Sequence, residues 1–454
     1  SGLFAVKVVD TLAKNIKESS ENKDLKRWQP QKNGLQIVNY YTNDQYKAFA
    51  IYSDFVFGPS RFFWKLKNVI DRNFVKKFKS KKMGLLQYQG MQDDTECRGC
   101  AAKLSQKILN QSLRDARLSK LADFPEDSFE IYRNNNEIIL QSVDGFPALL
   151  TDPWLNAKIT TLHACSDLWA SGVTISSAQA LISIPRIDKH FQQFLFSQTL
   201  DGIKSTLDDL GGRLIGGHTF ESRSDVKKPY SLDIEIALTV QGILVNEEEP
   251  WKKEGMKPGD VLLMSRPLGV GLYFAGLMQN INSEISSSEI YSHLIESQQN
   301  LVENILILQN SLGSKIINAA TDVTGYGFLG HLKEMIDSSN AKRIRENKRK
   351  LKVFLDLNSF KAYSGIFELI DRGISSSLFK SNKEIFAIDF QERFKNSCIQ
   401  FTKNKKIINY DSREIKLLLD PQTCGPILIS VPKKYEFYLQ SNWYKVGEVV
   451  ENNF

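Results

Sequence analysis

The apolar positions of this chain change period repeatedly, and the changes outline its elements. Near the start, Leu3, Val6, Val9, Leu12 and Ile16 form a helical stripe, and short strand patterns follow over 35–38 and 48–52. From residue 97 the chain reads as mixed α/β. Leu104, Ile108, Leu109 and Leu113 predict a helix, with the stretch from Glu96 to Lys103 as its mobile lead-in. Strands are expected over 137–143, ending at Asp144, over 175–184 and over 233–240, with helices over 156–171 and 191–210. A charged stretch over 246–258 marks a domain boundary. Beyond it come a strand over 261–265, a helix opened by Gly269-Val270-Gly271, a helix over 301–312, one ending at Ile336 and a strand ending at Val431. The charge run 342–352 predicts a solvated loop. Three regions result: 1–90, 97–245 and 246–454.

A chain of 454 residues with 42% hydrophobic content can fill several cores. Its net charge of +7 is mild for this length and does not argue for nucleic acid. Five scattered cysteines, an odd set, suit a reducing cytoplasm rather than a disulfide framework. No apolar run is long enough to span a bilayer, and no signal peptide is visible. Ser1 opens the chain without an initiator Met, as a processed or trimmed chain would. The run 61–82 is basic and interleaved with Phe62, Phe63, Trp64, Phe74 and Phe78. It reads first as a solvated helix packed on its own domain, and second as a weak contact with an anionic membrane surface or nucleic acid.

Candidate chemistry begins at Cys97, Cys100 and Lys103. A thiol beside Arg or Lys at a helix N-terminus is drawn toward thiolate. Zinc is disfavoured, because no second C-x-x-C and no His pair follows at zinc spacing. A redox dithiol would lack its usual strand context. Four aspartates, Asp127, Asp144, Asp167 and Asp322, sit at predicted element ends. Each alone reads as a turn or cap residue. Brought together, they would supply the hard oxygens that Mg²⁺ and a triphosphate require. Gly216-Gly217-His218-Thr219 reads as a loop, either closing on phosphate or making a tight turn. Gly325-Tyr326-Gly327-Phe328-Leu329-Gly330 matches a dinucleotide-binding glycine pattern. Against that reading, Asp322 stands where a carboxylate would repel a pyrophosphate, so a metal role for Asp322 is preferred.

Taken in order, these motifs resemble the selenophosphate synthetase (selenide, water dikinase) family over residues 97–454. The resemblance rests on Gly99-Cys100-x-x-Lys103, Asp127, Asp144, Ser166-Asp167-Leu168-x-Ala170-x-Gly172 and Gly216-Gly217-His218-Thr219. It is completed by Thr321-Asp322-Val323-Thr324-Gly325-Tyr326-Gly327-x-x-Gly330-His331 and Asp420-Pro421-Gln422-Thr423. Three departures stand out. Cys424 and Pro426 replace Ser and Gly in a loop read as structural, His163 replaces a common Asn, and Cys97 adds a thiol. Residues 1–90, on Gly2-Leu3-Phe4-Ala5-Val6, resemble the C-terminal end of flavin-dependent NADH dehydrogenases of the pyridine-nucleotide–disulfide family. Fused variants of the synthetase make this region the remnant of such a half, with no flavin expected in the chain itself.

The resemblance implies an α/β (α+β) fold of the aminoimidazole-ribonucleotide-synthetase-like ATP-binding type. Residues 97–245 would form the ATP-binding and dimerisation domain, and 246–454 a second α/β domain behind it. Cys100 and Lys103 would be catalytic. Lys103, Glu126, Asp144, Asp167, Gly217, His218 and Thr219 would hold the nucleotide, the last three serving the partner's site across a homodimer. Asp127, Asp167 and Asp322 would hold Mg²⁺. ATP, selenide and water would give selenophosphate, AMP and phosphate in the cytoplasm. Two other readings are carried: a sister kinase such as a thiamine-monophosphate kinase, and a flavin or nicotinamide oxidoreductase using Cys97 and Cys100.

Overall fold

The structure is a computed structural model that describes residues 2–20, 23–30, 34–42, 45–67, 69–70, 98–222, 234–245, 249–279, 287–384, 398–403, 406–407 and 412–452. The chain divides into two compact units, Ser1–Gly90 and Met91–Phe454.

In the first unit, helix α1 (Gly2–Ser20) precedes β1 (Gln36–Thr42), β2 (Gln45–Tyr52) and β3 (Phe55–Ser60). The three strands form an antiparallel meander in that order. The small side chains Ala48 and Ala50 are buried on the central strand, while Phe55, Val56 and Phe57 of the edge strand are exposed. Of the basic run, residues 61–67 and 69–70 are helical, and 71–82 lie outside the described residues, as does Cys97.

The second unit holds two sheets and one continuous apolar core. Helix α2 (Gln106–Asp115) leads to β4 (Phe129–Arg133) and β5 (Glu137–Pro147). Helix α3 (Pro153–Ala170), β6 (Thr174–Pro185), helix α4 (Lys189–Asp209), β7 (Arg213–Ser222) and β8 (Glu235–Val245) follow. The sheet runs β4-β5-β8-β6-β7. Only β6 and β7 pair in parallel, and α4 supplies the crossover such a pair needs. The second sheet contains β9 (Asp260–Met264), β10 (Ala319–Asp322), β11 (Leu351–Asp356), β12 (Ile399–Lys403), β13 (Lys406–Ile407), β14 (Ile427–Pro432) and β15 (Tyr444–Glu451). Its order is β10-β14-β9-β15-β11-β12-β13. Helix α5 (Val270–Met278) follows β9, and helix α6 (Gly327–Arg345) follows β10.

Helix α3 is the element around which both sheets close. Asp152 caps it by accepting the Leu155 N–H at 2.9 Å, and Pro153 opens its first turn without wasting a donor. Thirteen of its eighteen residues are buried, so it has no solvent face to speak of. One side packs on β5 and β8, the other on β10 and β14.

Four sequence expectations need correction. The stretch around Cys100 is a packed 3₁₀ turn, Gly99–Ala102, not a mobile lead-in, and Cys100 is wholly buried. Asp144 lies inside β5, not at its end, because pairing with β8 continues through Pro147↔Glu235. Gly216-Gly217-His218-Thr219 is not a loop but the middle of β7. There Gly217 lies so close to β6 that a Cβ would stand 2.1 Å from the Ala180 carbonyl oxygen, so its glycine serves strand pairing. The charge run 342–352 is a solvated loop only over 346–350, since α6 continues to Arg345 and β11 begins at Leu351. Arg343 is buried, donating to the Arg349 carbonyl at 2.5 Å and to Glu451 Oε1 at 2.7 Å. Lys352 is buried too.

Candidate active site

Two clusters of polar side chains are threaded on one face of α3, four residues apart. That spacing is one turn, about 6 Å along the axis.

The first cluster is acidic. Asp127 comes from the loop before β4, Asp167 from α3 and Asp322 from the last position of β10. Each offers a carboxylate oxygen within 4.8 Å of the other two. Hydroxyls orient them: Ser142 donates to Asp167 Oδ2 at 2.5 Å, Thr321 to Asp127 Oδ1 at 3.3 Å, and Ser166 to Asp322 Oδ2. Burial and then the neighbouring Asp322 push the Asp167 carboxyl well above its usual range. Asp127 is raised by burial against the pull of Lys253. Like charges gathered out of water are unfavourable unless a cation joins them. The all-oxygen donor set fits a hard divalent ion, and among the described residues it is the group with metal-holding proximity.

Behind this cluster stands a buried ion network. Lys253 Nζ lies 2.7 Å from Asp127 Oδ1 and 2.7 Å from Glu334 Oε2. Burial opposes the Glu334 charge, but Lys253 outweighs it and holds the carboxyl at about 2. Glu126 accepts the Lys253 backbone N–H at 3.1 Å, and burial raises its pKa to about 7.

The second cluster mixes charges. Cys100 Sγ lies 2.7 Å from His163 Nε2. The same nitrogen lies 3.3 Å from Asp144 Oδ2, which accepts from Lys103 Nζ at 2.9 Å. Burial disfavours charge on Lys103 and on His163. Asp144, with the Cys100 sulfur and Asp167, outweighs it for Lys103, and the Cys100 sulfur with Asp144 outweighs it for His163, so both are held well above their usual values. Burial works against the Asp144 charge as well, but Lys103 and His163 drive that carboxyl far below its usual range. Lys103 also feels Asp167, which ties the two clusters electrostatically.

The Cys100 turn is sealed by two loops. The Cys100 N–H donates to Thr423 Oγ1 at 3.3 Å. Gly325 leaves room for Lys103, whose Cδ would stand 2.9 Å from a Cβ there. That glycine therefore packs against the Cys100 turn and does not cradle a dinucleotide. The topology agrees: β10 pairs antiparallel with β14 and is not a neighbour of β11, so no parallel β-α-β unit surrounds the glycines. The loop that leads into β14, from Asp420 to Pro426, makes structural contacts. Asp420 Oδ2 accepts the Leu272 N–H at 3.0 Å, and Gln422 Oε1 accepts from Gly269 at 3.0 Å and Val270 at 3.2 Å, fixing the start of α5.

His218 and Thr219 are exposed on edge strand β7. His218 pairs with Leu181, itself exposed, and so shares the sheet face opposite to the one that packs on α3. The structure thus brings Cys100, Lys103, Glu126, Asp127, Asp144, Asp167 and Asp322 to one region, and leaves Gly217, His218 and Thr219 outside it.

The model for AIR synthase related protein, N-terminal domain, matches residues 126–244, and that for the C-terminal domain matches 257–453. The chain belongs to the AIR synthase related family. Within that family, its relatives include the selenide, water dikinase of Caldanaerobacter subterraneus subsp. tengcongensis, 29% identical over 359 residues, covering 77% of this chain and 90% of that protein. That of Myxococcus xanthus is 28% identical over 349 residues, covering 75% of this chain and 86% of the other. Among solved structures, AaThiL complexed with AMPPCP and TMP aligns with a TM-score of 0.51 at 15% identity, over 77% of this chain and 92% of that one. The HypE–HypF complex aligns at 0.50 and 13%, over 76% and 93%. These structures share the AIR synthase related fold.

Sequence reading missed four members of the site. His163 carried a readable signal, since it lies one helical turn before Asp167 and must share its face. Ser142 likewise lies two residues before Asp144 on a strand, on the same side. Lys253 and Glu334 carried none, because their pairing depends on how the second sheet docks.

Proposed function

We propose that this member of the AIR synthase related family is a selenide, water dikinase, converting ATP, selenide and water to selenophosphate, AMP and phosphate. One observation carries the reading beyond the relatives' names: a buried sulfur and a half-buried amine stand about one helical turn from a group of three carboxylates. A phosphoryl transfer needs little covalent help from protein but much charge control.

Asp127, Asp167 and Asp322 would hold Mg²⁺, which when bound supplies positive charge to the phosphates. Ser142, Ser166 and Thr321 aim those carboxylates. Lys103, propped by Asp144, carries an ammonium to the boundary between the two clusters, where a transferred phosphoryl would need it. Cys100 offers a soft sulfur to selenium. Glu126 and Asp144 would complete the nucleotide site. A sister kinase acting on another acceptor would have no use for Cys100.

The outer face of the first sheet exposes Phe129, Ile131, Val143, Leu181 and Phe220. An apolar face of this kind suits pairing with a second copy, which would carry Gly217, His218 and Thr219 toward the partner's nucleotide. No helix among the described residues is long and apolar enough to cross a membrane, and we place the enzyme in the cytoplasm. The region 1–90 is read as the remnant of an oxidoreductase half, with a weak membrane-surface contact through 61–82.

Phosphorus NMR of ATP turnover with and without selenide tests the reaction. A new selenium-coupled resonance appearing with AMP is the expected result. AMP and orthophosphate alone would count decisively against it.

A further inference from the structure

His163 belongs to no role assigned above, yet it is wholly buried, as is Cys100, and its ring touches the sulfur. We propose that His163 is a positioning residue for Cys100: its Nε2–H holds the sulfur as a thiolate, and the backbone amide of Cys424 orients the ring to do so. The proposal rests on the functional reading only for the importance of Cys100.

The argument is one of donors and acceptors. The Cys424 N–H points at His163 Nδ1 at 3.2 Å. A backbone amide can only donate, so Nδ1 presents its lone pair and the proton of the neutral ring sits on Nε2. Nε2 is the nitrogen 2.7 Å from Sγ, while Nδ1 is 3.9 Å away. Sγ therefore faces an N–H and accepts from it, with Asp144 Oδ2 the longer, competing acceptor 3.3 Å from the same nitrogen. A second proton would have to sit on Nδ1, facing the Cys424 N–H, and would leave Nε2–H on the sulfur side. A thiolate is the stronger acceptor, and a buried one is tenable only if a donor meets it.

The surroundings are consistent with this. Asp144 on β5 would repel a thiolate, but Lys103 neutralises it at 2.9 Å. Asp167 lies a turn further along α3. The nearby Cys424 thiol donates to the Ile159 carbonyl at 3.4 Å and does not compete for the ring. The Phe146 ring packs 5.3 Å from the imidazole and limits its rotation. Cys424 itself has φ of +47°, a left-handed conformation uncommon for a residue with a side chain. Such backbone is retained where something depends on it, and here its amide aims at the ring.

The test reads the thiolate directly in the full chain, as absorbance at 240 nm at pH 7, wild type minus Cys100→Ser, with neither ATP nor selenide present. His163→Asn keeps an acceptor for the Cys424 amide but has no group reaching the sulfur. His163→Gln places an amide N–H near the position of Nε2. We expect a Cys100-dependent signal in wild type, a fall of at least half in H163N and retention in H163Q. Equal signals in wild type and H163N overturn the proposal, as does the absence of a Cys100-dependent signal from wild type. Should H163N fail to fold, wild type and H163Q decide: a signal in both supports the proposal. Because the readout needs no turnover, a negative phosphorus NMR result would remove the dikinase reading and leave this one standing.

Discussion

At the level of Asp167, α3 faces two further carboxylates; one turn back, at His163, it faces a thiol, a single carboxylate and an ammonium. The two clusters share a helix, a depth of burial and a set of orienting hydroxyls and amides. They differ in charge balance. In the acidic cluster like charges meet, and burial with mutual repulsion pushes Asp127 and Asp167 toward the neutral form. In the thiol cluster unlike charges meet, and Asp144 and Lys103 hold each other charged. The first is a site left incomplete by protein alone. The second is complete in itself and positions what it holds. A divalent cation should therefore act on the first and leave the second little changed.

The sharpest way to separate the clusters is to remove one function from each. Cys100→Ser should lower selenophosphate formation by about 10⁴-fold, roughly 5 kcal/mol of barrier. Nucleotide affinity, measured by calorimetry, should stay within about twofold. A parallel loss of nucleotide binding would mean the clusters cannot be treated apart.

Asp167→Asn should reduce turnover by about 10³-fold, roughly 4 kcal/mol. It should also raise the melting temperature of metal-free protein, because folding no longer has to protonate, or hold charged, a carboxyl crowded by two others. Mg²⁺ should raise the melting temperature of wild type and fail to do so in this variant. A destabilised D167N without metal would break the repulsion argument.

Lys253→Met probes the counterion behind the cage. It takes the buried cation from Asp127 and leaves Glu334 with only His331 and Gln106, at a cost of about 3 kcal/mol in urea unfolding. An unchanged midpoint would show that the lysine does not balance the two carboxylates.

The smallest effect is a pH dependence. Folding raises the Glu126 pKa from its ordinary value to about 7. The folded state therefore holds a proton that the unfolded state has lost, so metal-free stability falls as pH rises from about 4.5 and levels off near 7. The Glu126 share is on the order of 2 kcal/mol, and Glu126→Gln should make the slope shallower, leaving the part contributed by Asp127 and Asp167. A slope of the opposite sign in wild type would refute the assignment.

Much of this was legible along the chain because it is local. The periods of 156–171, 175–184 and 191–210 marked α3, β6 and α4 within a few residues of their bounds, since amphipathic spacing records which side of an element is covered. The motifs around Cys100, Asp167 and Asp322 supplied the residue types the site uses. Where local signals were ambiguous, reading failed. Gly216-Gly217-His218-Thr219 looked like a loop, but only the presence of β6 beside it decides that Gly217 serves close strand pairing. The charges of 342–352 looked solvated, but Glu451 from a distant strand takes Arg343 into the interior.

The order of residues by itself determined the elements of this protein and the inventory of chemically able side chains, because both depend on neighbours a few positions away. Tertiary structure alone decided which of those side chains meet. Asp127, Asp167 and Asp322 come from a loop, a helix and a strand, and the Cys100 sulfur finds His163 across sixty-three positions. Such meetings are fixed by how two sheets close on one buried helix, and no spacing along a chain encodes that distance.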